Sequence, residues 1–487
     1  MHTTRRTHNL ALLTISCLFL FSNTKVTAAD SVEQLSTLKE QKSVAVTIYN
    51  DDLALIKELR QVTLVSGNFN LAWRDVSAQM RPETALLRSI TNPGNIDVLE
   101  QNFNFDLLTP QSLLNKYIGQ TVSVVKSNPA TGVESKENAI VLAASNGMVL
   151  KMADRIETGM PGRIIFDNVP SNLRDRPTLV IGGNNRGAAT QDIALSYLTG
   201  GLSWKADYVA ELNDKDDQLD LSGWVTLTNT SGTSYPNAKL QLVAGDINRV
   251  QQEFAAPRAL RAKIMADATA APMREEALME YHLYSLDRLT TIAENQTKQV
   301  ALLNASGVPA SKELVLAGSD YYYAASYGDL GQKMKVDVFV QFDNKESARL
   351  GMPLPKGIIR VYKLDKTGNA QFVGEDHIDH TAKNEIIRLK LGQSFDVTAD
   401  KKQTEFKQLS TSGASGINRF ESAYEITLKN AKKELATVVV QEPIPGDWKM
   451  VDENQPHSKP ASNTAMWKMA VPAEGSITLK YRVQVKY

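Results

Sequence analysis

The sequence predicts a mainly β protein: an N-terminal antiparallel β region with a small barrel-like part, then an Ig-like β-sandwich region carrying an inserted mobile or helical arm. Three observations predict it. Apolar residues alternate with polar ones over short runs, Gly, Pro, Asn and Asp bound those runs, and helical spacing is rare.

Taken in chain order, Val44, Val46 and Ile48 alternate with Ala45, Thr47 and Tyr49, which writes a half-buried strand. Leu53 to Leu64 forms the next run, turns at Ser66-Gly67-Asn68 and returns through Phe69 to Trp73. Ala139 to Ser145 and Met148 to Met152 flank Asn146-Gly147, a dipeptide that tolerates the positive φ of a tight hairpin. Val336, Val338, Val340 and Phe342 make a further stripe, and Ile358 to Leu364 pairs with Gln371 to Gly374 across Thr367-Gly368-Asn369. In the last run Ile477, Leu479, Tyr481, Val483, Val485 and Tyr487 share one face, so one side of that strand is buried.

Helical expectations are confined to Ser31 to Lys42 and to the stretch opened by Thr109-Pro110-Gln111, where Leu113, Leu114 and Tyr117 follow a capping residue and a proline. From Phe254 to Met279 the composition shifts to Ala, Arg, Met and Glu, interrupted by Pro257 and Pro272, which reads as an arm with helical tendency. The implied organisation is a leader over 1–29, an N-terminal β domain over 30–104, a small barrel-like domain over 105–190, and a β-sandwich domain over 191–487 with the arm at 254–279.

Arg5 and Arg6, the apolar run Leu10 to Phe21 and Val26-Thr27-Ala28-Ala29 have the three-part form of a secretory leader, cut after Ala28 or Ala29. That run of 12 residues falls short of the roughly 18 a membrane-spanning helix needs. Cys17 is the only cysteine, so the chain beyond the leader forms neither disulfides nor thiolate sites. Lys plus Arg and Asp plus Glu are each 54, and a net charge of zero offers no broad field for nucleic acid.

The densest set of metal-ligand types is Glu375-Asp376-His377-Ile378-Asp379-His380, from which His377, His380 and Asp376 are the candidate ligands for a divalent ion. On a turn the two imidazoles converge; on a strand they diverge. No other cofactor is implied. There is no Gly-x-Ser-x-Gly elbow, no phosphate loop and no His-Glu-x-x-His helix. Gly182-Gly183-Asn184-Asn185-Arg186-Gly187 misses the dinucleotide spacing and reads as a flexible turn. Tyr321, Tyr322 and Tyr323 with Tyr327, and Trp448 beside Pro445-Gly446-Asp447, are aromatics of the kind that stack on sugars or anchor interfaces.

The segment Ser196-Tyr197-Leu198-Thr199-Gly200-Gly201-Leu202-Ser203-Trp204-Lys205-Ala206-Asp207-Tyr208 and the segment Leu221 to Asn229 resemble a bacterial domain of unknown function that also forms the C-terminal half of mucoidy-inhibitor-A-like proteins. Leu242-Val243-Ala244-Gly245-Asp246, Asn295 to Val300 and Phe372 to Asp376 extend the resemblance over roughly Ser196 to Tyr487. It implies an envelope location and a β-rich fold, and supplies no catalytic residues. The long coiled coil of the mucoidy-inhibitor members is missing here.

The expected role is therefore a non-catalytic periplasmic or surface-exposed binding or scaffolding protein of the cell envelope, contacting protein or polysaccharide and not integral to the membrane. The alternatives are a metal-assisted or carboxylate-driven hydrolase of envelope glycans, and an outer-membrane β-barrel suggested by the long final strand. Intact-mass measurement of the protein recovered from cells is expected to find a chain beginning at Ala29 or Asp30; a chain retaining Met1 contradicts the leader.

Overall fold

A computed structural model describes residues 32–486, apart from 51, 146, 160–161, 171–172, 246, 249–272 and 411–417. The leader and most of the arm lie outside the described residues. The protein is mainly β, with its strands in four sheets of four, five, eight and thirteen strands. None of these closes on itself, so the barrel-like part and the membrane-barrel alternative give way to open, sandwich-like sheets. No helix among the described residues is long and apolar enough to cross a membrane.

The eight-stranded sheet is assembled from strands far apart in the sequence, between Gln41 and Ile292. Leu53–Thr63 lies between Gln41–Tyr49 and Thr190–Thr199, and Thr190–Thr199 is flanked on its other side by Leu86–Ser89. Tyr235–Ala244 runs parallel to Gln41–Tyr49. One apolar core joins this sheet to the four-stranded sheet and to the nearer part of the thirteen-stranded one, through residues such as Ile56, Trp73, Ile193, Tyr208 and Leu302. Strands before and after residue 190 thus bury their apolar faces together.

The run from Phe69 to Trp73 does return after Ser66-Gly67-Asn68, but into the opposite layer. Gly67–Arg74 pairs with Thr178–Asn185 and, in parallel, with Glu33–Ser36, whereas Leu53–Thr63 stays in the eight-stranded sheet. Both runs are apolar on one face, and a sandwich satisfies those faces by stacking them. Within Leu53–Thr63, Arg60 Nη2 lies 2.8 Å from Glu58 Oε2, and across the gap that oxygen also accepts the Trp73 indole N–H at 2.8 Å. Arg60 donates to the carbonyl oxygens of Ser36 at 3.1 Å and Arg74 at 2.8 Å, so a buried guanidinium ties three strands from two layers.

Several local expectations are corrected. Ser31 to Lys42 is not a helix: Glu33–Ser36 is a strand and Leu38–Glu40 a single 3₁₀ turn capped by Thr37 and Glu40. Pairing with Asn70–Trp73 overrides weak helical spacing. The end of the arm is also extended, because Arg274–Leu278 pairs with Tyr281–Ser285 across Met279-Glu280. Gly182 and Gly183 lie inside the strand Thr178–Asn185 rather than in a turn. A β-carbon at Gly183 would sit 2.5 Å from the Asp97 carbonyl oxygen and 2.7 Å from the Phe69 ring, so glycine there serves close packing.

Other elements match their signals. Pro110–Lys116 is a helix capped by Thr109, and Gly357–Leu364 pairs with Ala370–Ile378. The strands Glu134–Ala143 and Val149–Lys151 pair antiparallel, with a longer connection than the two-residue turn expected around Asn146, which lies outside the described residues. They belong to the five-stranded sheet, whose own core includes Leu114, Val124 and Leu150.

Substituting Glu58→Ala leaves the Arg60 charge buried without its partner. Urea unfolding is expected to show a loss of about 3–5 kcal/mol, and a change under about 1 kcal/mol contradicts a sealed ion pair.

Candidate functional site

The outer part of the thirteen-stranded sheet folds over a second core. Ile386–Ser410, Arg419–Asn430 and Gly475–Lys486 face the end of Gln296–Ala317, Ala436–Pro443 and Thr464–Val471. Alternation on Ile386–Ser410 sends Val397, Ala399, Lys401 and Gln403 inward, and alternation on Ala436–Pro443 sends Val438, Val440 and Glu442 inward. A lysine and a glutamate thereby enter apolar rows from opposite layers, with Lys401 2% and Glu442 0% exposed.

Lys401 Nζ lies 2.6 Å from Glu442 Oε1 and 2.7 Å from Oε2. It also sits 3.9 Å from the centre of the Tyr322 ring. The hydroxyls of Tyr322 and Tyr323 donate to Glu442 Oε2 at 2.5 and 2.9 Å, and the Tyr323 and Tyr481 hydroxyls are 3.0 Å apart. Gln403 Nε2 donates to the Tyr322 carbonyl oxygen at 3.1 Å, and the Tyr424 hydroxyl donates to the same oxygen at 2.8 Å. A β-carbon at Gly318 would come within 2.4 Å of both Glu442 Oε2 and the Tyr322 hydroxyl, so no side chain fits there.

Desolvation lowers the Lys401 pKa, with Glu442 opposing it. Burial first, and the Glu442 charge second, push the Tyr322 and Tyr323 hydroxyls far up, and the same causes act on Tyr481. These phenols stay protonated and donate. The arrangement clamps two layers; it does not present a nucleophile to solvent.

Above the clamp the chain reaches the surface. Tyr321 packs edge-on against Tyr322 with ring centres 5.1 Å apart, and Tyr327 packs edge-on against Tyr321 at 5.3 Å. Tyr321 is 53% and Tyr327 39% exposed. Tyr327 directly precedes Gly328, which with Asp329, Gln332, Asp400, Lys402 and Glu425 lines a hollow of ≈ 470 Å³ that Lys401 and Gln403 also border. The Tyr327 N–H donates to Gln403 Oε1 at 2.5 Å, tying the rim to the buried cluster.

The five aromatics singled out in the sequence therefore divide. Tyr322, Tyr323 and Trp448 are buried in one core, and Tyr321 and Tyr327 face out. Trp448 closes the far end of that core: its indole N–H donates to the Ser462 carbonyl oxygen at 2.8 Å, His457 lies 5.5 Å from its ring, and Lys459 Nζ 4.1 Å. Lys401 and Glu442 were not recognised in the sequence, although each is a charge in an otherwise apolar alternating row.

The three candidate metal ligands are not brought together. Asp376 and His377 are consecutive in the strand Ala370–Ile378 and so face opposite sides. Asp376 accepts N–H groups from His377 at 2.8 Å and Lys390 at 2.7 Å. His380 lies beyond the strand, its Nδ1 accepting the Lys356 N–H at 3.3 Å and its Nε2 3.4 Å from Asn50 Nδ2. Among the described residues no group of three His, Cys, Asp or Glu side chains is placed to hold a metal ion.

Fold and clamp together define a mainly β chain of stacked open sheets whose C-terminal layers are pinned by a sealed ion pair. The family model described as "domain of unknown function (DUF4139)" matches residues 193–487, more than half of the sequence, and the chain belongs to that family. A search of curated proteins finds no match. The family region opens inside Thr190–Thr199, whose two sheet neighbours, Leu53–Thr63 and Leu86–Ser89, precede it in the chain.

The raised phenols set the response to alkali. Below pH about 10 both states keep these protons; above it the unfolded chain loses them first, so stability falls as pH rises. Lys401 acts in the opposite sense, because its native state gives up a proton before the unfolded chain does, but it is one group against Tyr322, Tyr323 and Tyr481. Denaturant midpoints measured from pH 8 to about 11.5 are expected to fall above about 10, with a shallower fall for Tyr323→Phe; a flat or rising curve contradicts the buried phenols.

Proposed function

We infer that this chain is an exported, non-catalytic binding or scaffolding module of the bacterial cell envelope, contacting a protein or a polysaccharide. Its principal support is the division of labour around the clamp. The charged and phenolic groups with the strongest interactions are sealed and satisfy one another, while an exposed tyrosine pair is held from below by that rigid cluster. A preorganised aromatic surface binds with little loss of side-chain entropy.

The leader-like first 29 residues favour a location outside the cytoplasm. The resemblance to the C-terminal half of mucoidy-inhibitor-A-like proteins favours the same compartment.

Photo-crosslinking in living cells tests the reading. A photoreactive phenylalanine analogue at Tyr327 is expected to yield adducts in the periplasmic or surface fraction, and the same group at exposed Lys136 is expected to yield none in common. Recovery of the chain only from the cytosol, or identical adducts from both positions, contradicts it.

A further inference from the structure

We propose that the C-terminal core is a one-electron relay, a file of tyrosine and tryptophan rings that carries oxidising equivalents from the interior to Tyr321 and Tyr327 at the surface. The relay is independent of the binding role inferred above. It starts from the composition of the core. Every aromatic side chain buried there, among the described residues, is a tyrosine or a tryptophan: Tyr322, Tyr323, Tyr424, Tyr481, Trp448 and Trp467. The larger core beside it buries Phe69 and Phe342, so this chain does use phenylalanine for packing. Phenylalanine fills space without a hydroxyl that burial must satisfy. What phenols and indoles add is that they give up an electron to oxygen-derived radicals and pass it between rings.

The rings are contiguous. Trp467 stacks on Tyr481 with ring centres 4.9 Å apart, and Tyr481 stacks on Tyr424 at 5.0 Å. The second stack follows from the sheet, because Tyr424 and Tyr481 are direct partners on neighbouring strands. Tyr424 lies 5.6 Å from Tyr322, Tyr322 5.1 Å from Tyr321, and Tyr321 5.3 Å from the exposed Tyr327. All are contact separations for aromatic rings. An electron crosses such contacts far faster than it crosses an aliphatic gap of the same total length.

Oxidation of a phenol or an indole also needs a base within hydrogen-bond reach of its proton. The Trp467 indole N–H donates to Glu453 Oε2 at 3.0 Å, and the Tyr322 hydroxyl donates to Glu442 Oε2 at 2.5 Å. The Tyr481 hydroxyl reaches the same carboxylate through Tyr323, at 3.0 and 2.9 Å. Tyr424, whose hydroxyl donates to the Tyr322 carbonyl oxygen, keeps its proton and bridges Tyr481 to Tyr322. The Lys401 ammonium, 3.9 Å from the centre of the Tyr322 ring, opposes a positively charged ring, so electron and proton leave Tyr322 together. The balance is then complete. A one-electron oxidant of the hydroxyl- or carbonate-radical class takes an electron from Trp467, and the indole proton moves to Glu453. Electrons step inward from the surface to refill each ring, and each proton returns from its carboxylate as its ring is refilled. Tyr321 or Tyr327 finally loses its proton to water, and a diffusible reductant such as ascorbate restores electron and proton there. The gain is protection of the core: Met469 lies within it, and a sulfoxide there would set a polar group among apolar neighbours.

The test uses the full mature chain without oxygen or added reductant. A laser flash at the red edge of the indole absorption, where phenols do not absorb, photoionises tryptophan, and hexamminecobalt(III) takes up the ejected electron. Nitroso-tert-butane traps tyrosyl radicals, and peptide mass spectrometry locates the adducts. The parent chain is expected to carry adducts at Tyr321 and Tyr327, formed as the indolyl absorption decays. Tyr322→Phe keeps the ring but not the oxidisable hydroxyl, and Tyr321→Phe does the same at an exposed position. Each is expected to reduce adducts at Tyr327 to the level of an unirradiated sample. Denaturant midpoints are measured alongside, and where Tyr322→Phe fails to fold, the surface change Tyr321→Phe carries the test. Adducts at Tyr327 that persist in a folded variant, or that are absent from the parent, overturn the relay.

Discussion

The C-terminal half of this protein is organised by one buried ion pair. Lys401 and Glu442 come from facing layers and meet where only apolar side chains would ordinarily be sealed. Removing both charges from water is costly, and the cost is offset only because both carboxylate oxygens contact the ammonium while two phenols satisfy Glu442 further. Those requirements propagate outward. Gly318 must lack a side chain, Tyr322 must lie over the ammonium, and Tyr321, its chain neighbour, is thereby turned to the surface where it meets Tyr327. The geometry of the exposed aromatic corner is a consequence of electrostatics in the core.

The N-terminal half uses a related device with different chemistry. There Glu58 and Arg60 lie two apart on one strand, and the guanidinium reaches the other layer through backbone carbonyl groups and the face of Trp73, 4.5 Å away. Arginine suits this position because its planar fork supplies several fixed donors, whereas Lys401 works as a compact charge held between carboxylate and ring. The two halves are not independent. The family-defining region borrows Gln41–Tyr49, Leu53–Thr63 and Leu86–Ser89 to complete its sheet, so the boundary drawn by sequence similarity crosses a continuous hydrogen-bonded surface.

Much of the fold was legible because strands buried on one side must alternate. The final strand reads inward at Leu479, Tyr481, Val483 and Val485 as its sequence implies, and Thr109 announces its helix through a capping pattern. What misled were features whose meaning depends on distant neighbours. Leu53–Thr63 and Gly67–Arg74 read as a hairpin because a turn joins them, yet each has partners far away in sequence. Gly182 and Gly183 read as flexible because nothing local reveals that Phe69 and Asp97 press against one of them. The site followed the same logic. Density of ligand types drew attention to Asp376, His377 and His380, which the strand separates, while the interaction that orders the core was written as single charges, Lys401 and Glu442, in two apolar rows. Tyr322 and Tyr323 were noticed as aromatics, but their role as hydrogen-bond donors depends on a carboxylate more than a hundred residues away.

The most direct test is a double-mutant cycle on Lys401→Met and Glu442→Met, read by equilibrium unfolding of the mature chain. Each single variant leaves one buried charge unpaired and is predicted to lose about 3–5 kcal/mol, with the double variant recovering at least about 2 kcal/mol of the summed loss. Additive single effects, or single variants as stable as the parent, would contradict an ion pair that holds the two layers together.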